Sequence, residues 1–106
     1  MAHNGSGTIN FGGFPGSPTT SLFVTAPDIG AYSLLNAWIC PLGGTSDHSE
    51  DEHNIERIRL YASNIIDQSG FTITAYGYSD IPQSLVSNGN NNSLIYGQWN
   101  VAWGYN

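Results

Sequence analysis

Residues 94–103 read Leu-Ile-Tyr-Gly-Gln-Trp-Asn-Val-Ala-Trp. Ile95, Trp99, Val101 and Trp103 occupy odd positions, and Tyr96, Gln98 and Asn100 occupy even ones. Successive side chains of an extended chain point to opposite faces, so this alternation predicts a strand with one face buried. Residues 70–78 repeat it: Phe71, Ile73 and Ala75 alternate with Thr72, Thr74 and Tyr76. For residues 55–66 a helix would place Ile55, Ile58, Arg59 and Ala62 on one mixed stripe. A strand separates Ile58, Leu60 and Ala62 from Arg57, Arg59 and Tyr61, and is the cleaner reading. Further strands are expected at 21–26, ended by Pro27, at 33–39, ended by Pro41, and in a short stretch at 8–11.

Six to seven strands with polar or Gly/Pro-rich connections, and no convincing helix, predict an all-β antiparallel sandwich. The expected core contains Ile58, Leu60, Phe71, Ile73, Trp99, Val101 and Trp103. At 106 residues the chain is long enough for one domain. Residues 1–7 read as a flexible N-terminal segment and residues 8–106 as the domain. Loops are expected at 12–18, where Gly and Pro are dense, at the acidic stretch 43–54, and at the Asn-rich excursion 79–93. Cys40 is the single cysteine, so no internal disulfide forms; in its apolar run it reads as a small buried hydrophobe. A small core without a disulfide favours oligomerisation, and Phe23, Trp38, Tyr61 and Tyr96 fall on the second faces of their strands. A homotrimer is the expected assembly.

Arg57 and Arg59 are the only Lys or Arg residues, against eight acids, for a net charge of −6. Two cations cannot neutralise a run of phosphates, so nucleic acid is excluded as a partner. An anionic membrane surface is disfavoured on the same ground. No apolar segment approaches the span of a bilayer, so no membrane insertion is expected, and the start of the chain lacks the pattern of a signal peptide. There is no G-x-S-x-G elbow and no P-loop, and the chain is not expected to be an enzyme.

Two clusters carry candidate chemistry. Residues 47–56 hold five of the eight acids and two of the three histidines. Carboxylate and imidazole are ligands for divalent metals, which makes His48, Asp51, Glu52 and His53 the candidate set; a divalent ion is the one cofactor these residues suggest. The competing reading is a solvated acidic loop, or a subunit contact, whose side chains cap turns. The second cluster is Tyr76, Tyr78 and Tyr96 with Arg57 and Arg59. Outward tyrosines beside amides and guanidinium groups suit either a shallow glycan site or a subunit interface.

Several segments together resemble a family of short proteins from tailed-phage genomes. These are Gly7-Thr8-Ile9-Asn10-Phe11-Gly12, Ala37-Trp38-Ile39, Asp47-His48 with Glu52-His53, Gly70-Phe71-Thr72-Ile73-Thr74, and residues 96–103. That resemblance implies a virion fibre, spike or decoration protein with other virion proteins as partners. The second half also resembles H-type lectin domains, through Arg57-Ile58-Arg59-Leu60, Asn64-Ile65, Gly70-Phe71-Thr72-Ile73 and the closing strand that ends at Trp103. This likeness implies a six-stranded trimeric sandwich that binds N-acetylgalactosamine-like sugars on host surfaces. It carries over no individual sugar contact.

Overall fold

The computed structural model describes residues 3–41, 43–77 and 94–106. Six strands and one short helix run in the order β1 (His3–Asn10), β2 (Thr19–Thr25), β3 (Leu35–Ile39), α1 (Glu50–Ile55), β4 (Ile58–Ile66), β5 (Gly70–Gly77) and β6 (Gln98–Tyr105). They form two antiparallel three-stranded sheets, ordered β1-β6-β3 and β2-β5-β4. The two inner faces share one core, as in an all-β sandwich, and Phe71 of β5 meets Trp103 and Tyr105 of β6 edge-on across it.

The period-two readings of β4, β5 and β6 hold. Phe71, Ile73 and Ala75 are fully buried at the centre of one sheet, and Trp99 and Val101 at the centre of the other. Ile58, Leu60 and Trp103 pack on this core while remaining partly exposed, because β4 is an edge strand and Trp103 lies over β1. In β4 the alternation changes parity at Asn64, which takes φ 55° in a bulge between Ser63 and Ile66. Ile65 therefore packs on the core and Ile66 faces out. Asn is among the few side chains that tolerate this backbone region.

Four expectations change. The closing strand does not run continuously from 94. Gly97, at φ 79°, breaks the chain, and Ile95 before it makes only an isolated bridge with Ser17. Residues 3–7, read as flexible, belong to β1 and pair along β6 from His3 opposite Tyr105. Gly5 and Gly7 make this fit possible. A Cβ on Gly5 would lie 2.9 Å from the Trp103 ring and one on Gly7 3.3 Å from it, so the indole lies flat on bare backbone. The stretch 43–54, read as loop, contains the start of α1. Cys40 is half-buried rather than enclosed, and lines an open cleft with Ser6, Thr8 and Asn100. Tyr78 and the 79–93 excursion lie outside the described residues.

Candidate functional site

Strand β3 covers one edge of β6 only as far as Val101. Toward Gln98 the same edge would present unpaired backbone groups, which are costly when shielded from water. The segment before and within α1 supplies side chains in place of a strand. Asp47 Oδ2 accepts the Gln98 N–H at 3.0 Å, and the Thr45 hydroxyl donates to the Gln98 carbonyl at 2.9 Å. His53 Nε2 accepts the Asn100 N–H at 2.9 Å, and the Cys40 N–H closes on the Asn100 carbonyl at 2.9 Å. The acidic, histidine-rich block is thus an edge cap for the central strand of its sheet.

The local sequence explains why the cap holds its shape. Ser49 and Glu52 form a capping box: the Ser49 hydroxyl accepts the Glu52 N–H, and the Glu52 carboxylate accepts the Ser49 N–H at 3.0 Å. Glu50, Asp51 and Glu52 fill the first turn, where negative charge suits the helix dipole. The pattern S-x-x-E at residues 49–52 is the sequence signal for this helix.

Both histidines are buried, at 3% and 4% exposure, and their ring nitrogens are engaged. His53 Nε2 receives a backbone N–H, so its proton resides on Nδ1, which donates to the Ser49 carbonyl at 2.8 Å. His48 Nε2 donates to the Tyr96 carbonyl at 2.7 Å, since a carbonyl has no hydrogen to give. Its Nδ1 lies 2.9 Å from Glu52 Oε2, within hydrogen-bonding distance. The hydrogen bond from His48, and next the Ser49 N–H, hold the Glu52 carboxyl below its ordinary pKa. His48 also stacks on Trp99, with centroids 3.8 Å apart and planes 15° from parallel, and His53 leans on the same indole. Trp99 Nε1 shares the Tyr96 carbonyl at 3.0 Å.

This arrangement does not gather His48, Asp51, Glu52 and His53 into one donor set. His48 pairs with Glu52, His53 turns to Asn100, and Asp51 is exposed on α1. Among the described residues no group of three or more His, Cys, Asp or Glu side chains converges on a common point. A metal at either imidazole would have to displace a protein hydrogen bond, and at His53 Nε2 it would displace the one that closes the sheet edge.

The second cluster divides. Arg59 and Tyr76 are register partners on the outer face of β2-β5-β4. Tyr61 meets the Tyr76 ring at 6.3 Å there, and Phe23 stands over Gly70 on that face. Arg57 is exposed just before β4. Tyr96 lies apart from them, beside the His48–Trp99 stack and in edge contact with Phe14 at 5.4 Å. With Asn10, Gly12, Gly13, Asp47, Gly97 and Gln98, those two rings line an open cleft of about 320 Å³. Sequence reasoning singled out Tyr96 but not Asn10, Phe14, Asp47 or Gln98 as its neighbours, because they join through contacts between distant segments. Family models, curated proteins and solved structures give no match to this chain.

Proposed function

We propose that the chain is a non-enzymatic structural protein of a phage virion, a head-fibre, capsid-decoration or tail-fibre component that assembles as a homotrimer and mediates attachment. One observation carries the assembly part of this reading. The outer face of β2-β5-β4 presents Phe23 and Tyr61, each about half exposed (50% and 51%), together with Tyr76 and Arg59. Aromatic residues with an arginine are the composition enriched at interfaces and depleted from ordinary surface. The resemblance to short phage proteins supplies the virion setting.

Mass spectrometry of purified particles, with sedimentation of the isolated protein, tests the reading. The chain is expected among the particle proteins and as a trimer at micromolar concentration. Phe23→Asp with Tyr61→Asp is expected to give folded monomers, because neither side chain belongs to the core. Absence from particles, or a wild-type monomer, would count against it. A second reading, a lectin module that reads neutral host-surface glycans, is favoured by the aromatic, amide and carboxylate groups that share the Phe14–Tyr96 cleft.

A further inference from the structure

The cleft between the β1–β2 turn, Asp47 and the segment before β6 is built from parts whose positions are fixed by backbone contacts. The Phe11 N–H donates to the Gly97 carbonyl at 3.0 Å, and the Gly97 N–H donates to the Gly12 carbonyl at 2.7 Å, tying its two walls together. Asp47 Oδ2 is anchored on the Gln98 N–H, which leaves the exposed carboxylate further acceptor capacity. Asn10 Oδ1 accepts the Gly12 N–H at 2.8 Å, which orients its amide so that the NH₂ is the group left to donate. An acceptor and a donor, each pinned by a main-chain bond, therefore line one concavity.

The apolar wall is equally distinct. Phe14 is 81% exposed and packs edge-on against Tyr96, itself 39% exposed. An added Cβ on Gly12 or Gly13 would meet nothing within 4 Å, so this part of the lining is bare backbone with open space before it. The lining residues include a carboxylate and no Lys or Arg, on a chain of net charge −6. That disfavours an anionic ligand.

We propose that this cleft binds a neutral saccharide, one C–H face lying against Phe14 and Tyr96 and a hydroxyl group engaged between Asp47 and Asn10. A sugar hydroxyl donates and accepts at once, so it can give its hydrogen to the carboxylate while its oxygen takes one from the Asn10 amide. Gln98, exposed at the rim, supplies a second amide. A stacking surface combined with a few placed polar groups is the general make-up of a small-molecule site, and the shallow form fits a glycan end. The inference deepens the glycan reading and rests on it.

The test is a glycan array of neutral and acidic saccharides probed with the full chain, then NMR titration of the strongest neutral hit against wild type, Phe14→Ala and Asp47→Asn. Both variants should fold: Phe14 is outside the core, and Asn at 47 keeps a carbonyl oxygen for the Gln98 N–H. Circular dichroism checks this. Wild type is expected to bind neutral glycans with a dissociation constant on the order of millimolar per site, moving the Gly12, Gly13 and Gln98 amides. Asp47→Asn should weaken binding roughly tenfold or more, as expected for a hydrogen bond to a charged group. Phe14→Ala should weaken it by about two- to tenfold. Neutral-glycan binding that both folded variants retain would overturn the site while leaving the glycan reading standing. Binding of acidic glycans alone would overturn the proposed ligand class. No binding by wild type would overturn site and reading together.

Discussion

Replacement of Gly97 by alanine tests the junction on which both the edge cap and the cleft depend. Gly97 has φ 79°, a region L-residues with a Cβ enter at a cost of about 1–2 kcal/mol. Its added Cβ would lie 2.6 Å from Asp47 Oδ2 and 2.7 Å from His48 Nε2. Neither neighbour can swing aside freely. Asp47 Oδ2 holds the Gln98 N–H, and a hydrogen bond to a charged group contributes about 1.5–3 kcal/mol. His48 is stacked on Trp99 with both nitrogens engaged, and stranding one buried polar group costs a further 1–3 kcal/mol or so. Even the lower ends of these ranges combine to about 3–4 kcal/mol, a large share of the roughly 5–15 kcal/mol that stabilises a typical domain. Thermal unfolding at fixed protein concentration should show a drop in Tm on the order of 15 °C. Gly12→Ala is the internal control: its φ is 97°, but the new Cβ meets nothing within 4 Å, so it carries the backbone cost alone. Urea titrations of the two variants should differ by about 2 kcal/mol or more. If Gly97→Ala is no less stable than Gly12→Ala, the packing of Asp47 and His48 over residue 97 is not what requires glycine, and the reasoning fails.

Ser49→Ala removes one half of the capping box and should cost about 1 kcal/mol in urea unfolding. The Glu52 carboxyl titrates below its ordinary value because His48 and the Ser49 N–H favour its charged form, so its contribution is present above about pH 4.5 and is lost as pH falls through the lower folded value. Glu52→Gln, which keeps an oxygen for the Ser49 N–H, should flatten the acid limb of a Tm-against-pH curve; an unchanged limb would refute this. Gly5→Ala should displace the Trp103 indole, destabilise by about 1–3 kcal/mol and alter tryptophan fluorescence, since the new Cβ would stand 2.9 Å from that ring. Ile73→Val should cost about 0.5–1.5 kcal/mol by chemical denaturation, whereas Ile66→Val, at a site 54% exposed, should cost almost nothing.

Which residues face inward was readable from the chain alone wherever one strand face is buried. Phe71, Ile73, Ala75 and Trp99 alternate with polar neighbours, and alternation is a local property of extended backbone. The exposure of Phe23, Trp38 and Tyr61 follows from the same parity, whereas Tyr96 lies before the break at Gly97 and outside the closing strand. The α1 helix was also written locally, in Ser49 and Glu52, but six residues carry too little periodicity to outweigh the polar, acidic look of the stretch. What the sequence does not carry is which strand lies beside which. The pairing of β1 with β6 joins residues at opposite ends of the chain, such as Ile9 with Trp99, and only that pairing gives Gly5 and Gly7 their role as the bed of Trp103. Read in isolation, those glycines signal freedom; against an indole, the missing Cβ is what allows close packing. Likewise, Asp47 reads as part of a charged loop, and His53 as that or a metal ligand, until β3 is seen to stop at Val101. The unpaired edge beyond that point, at Gln98 and Asn100, is made by tertiary structure, and so is the need that those side chains meet.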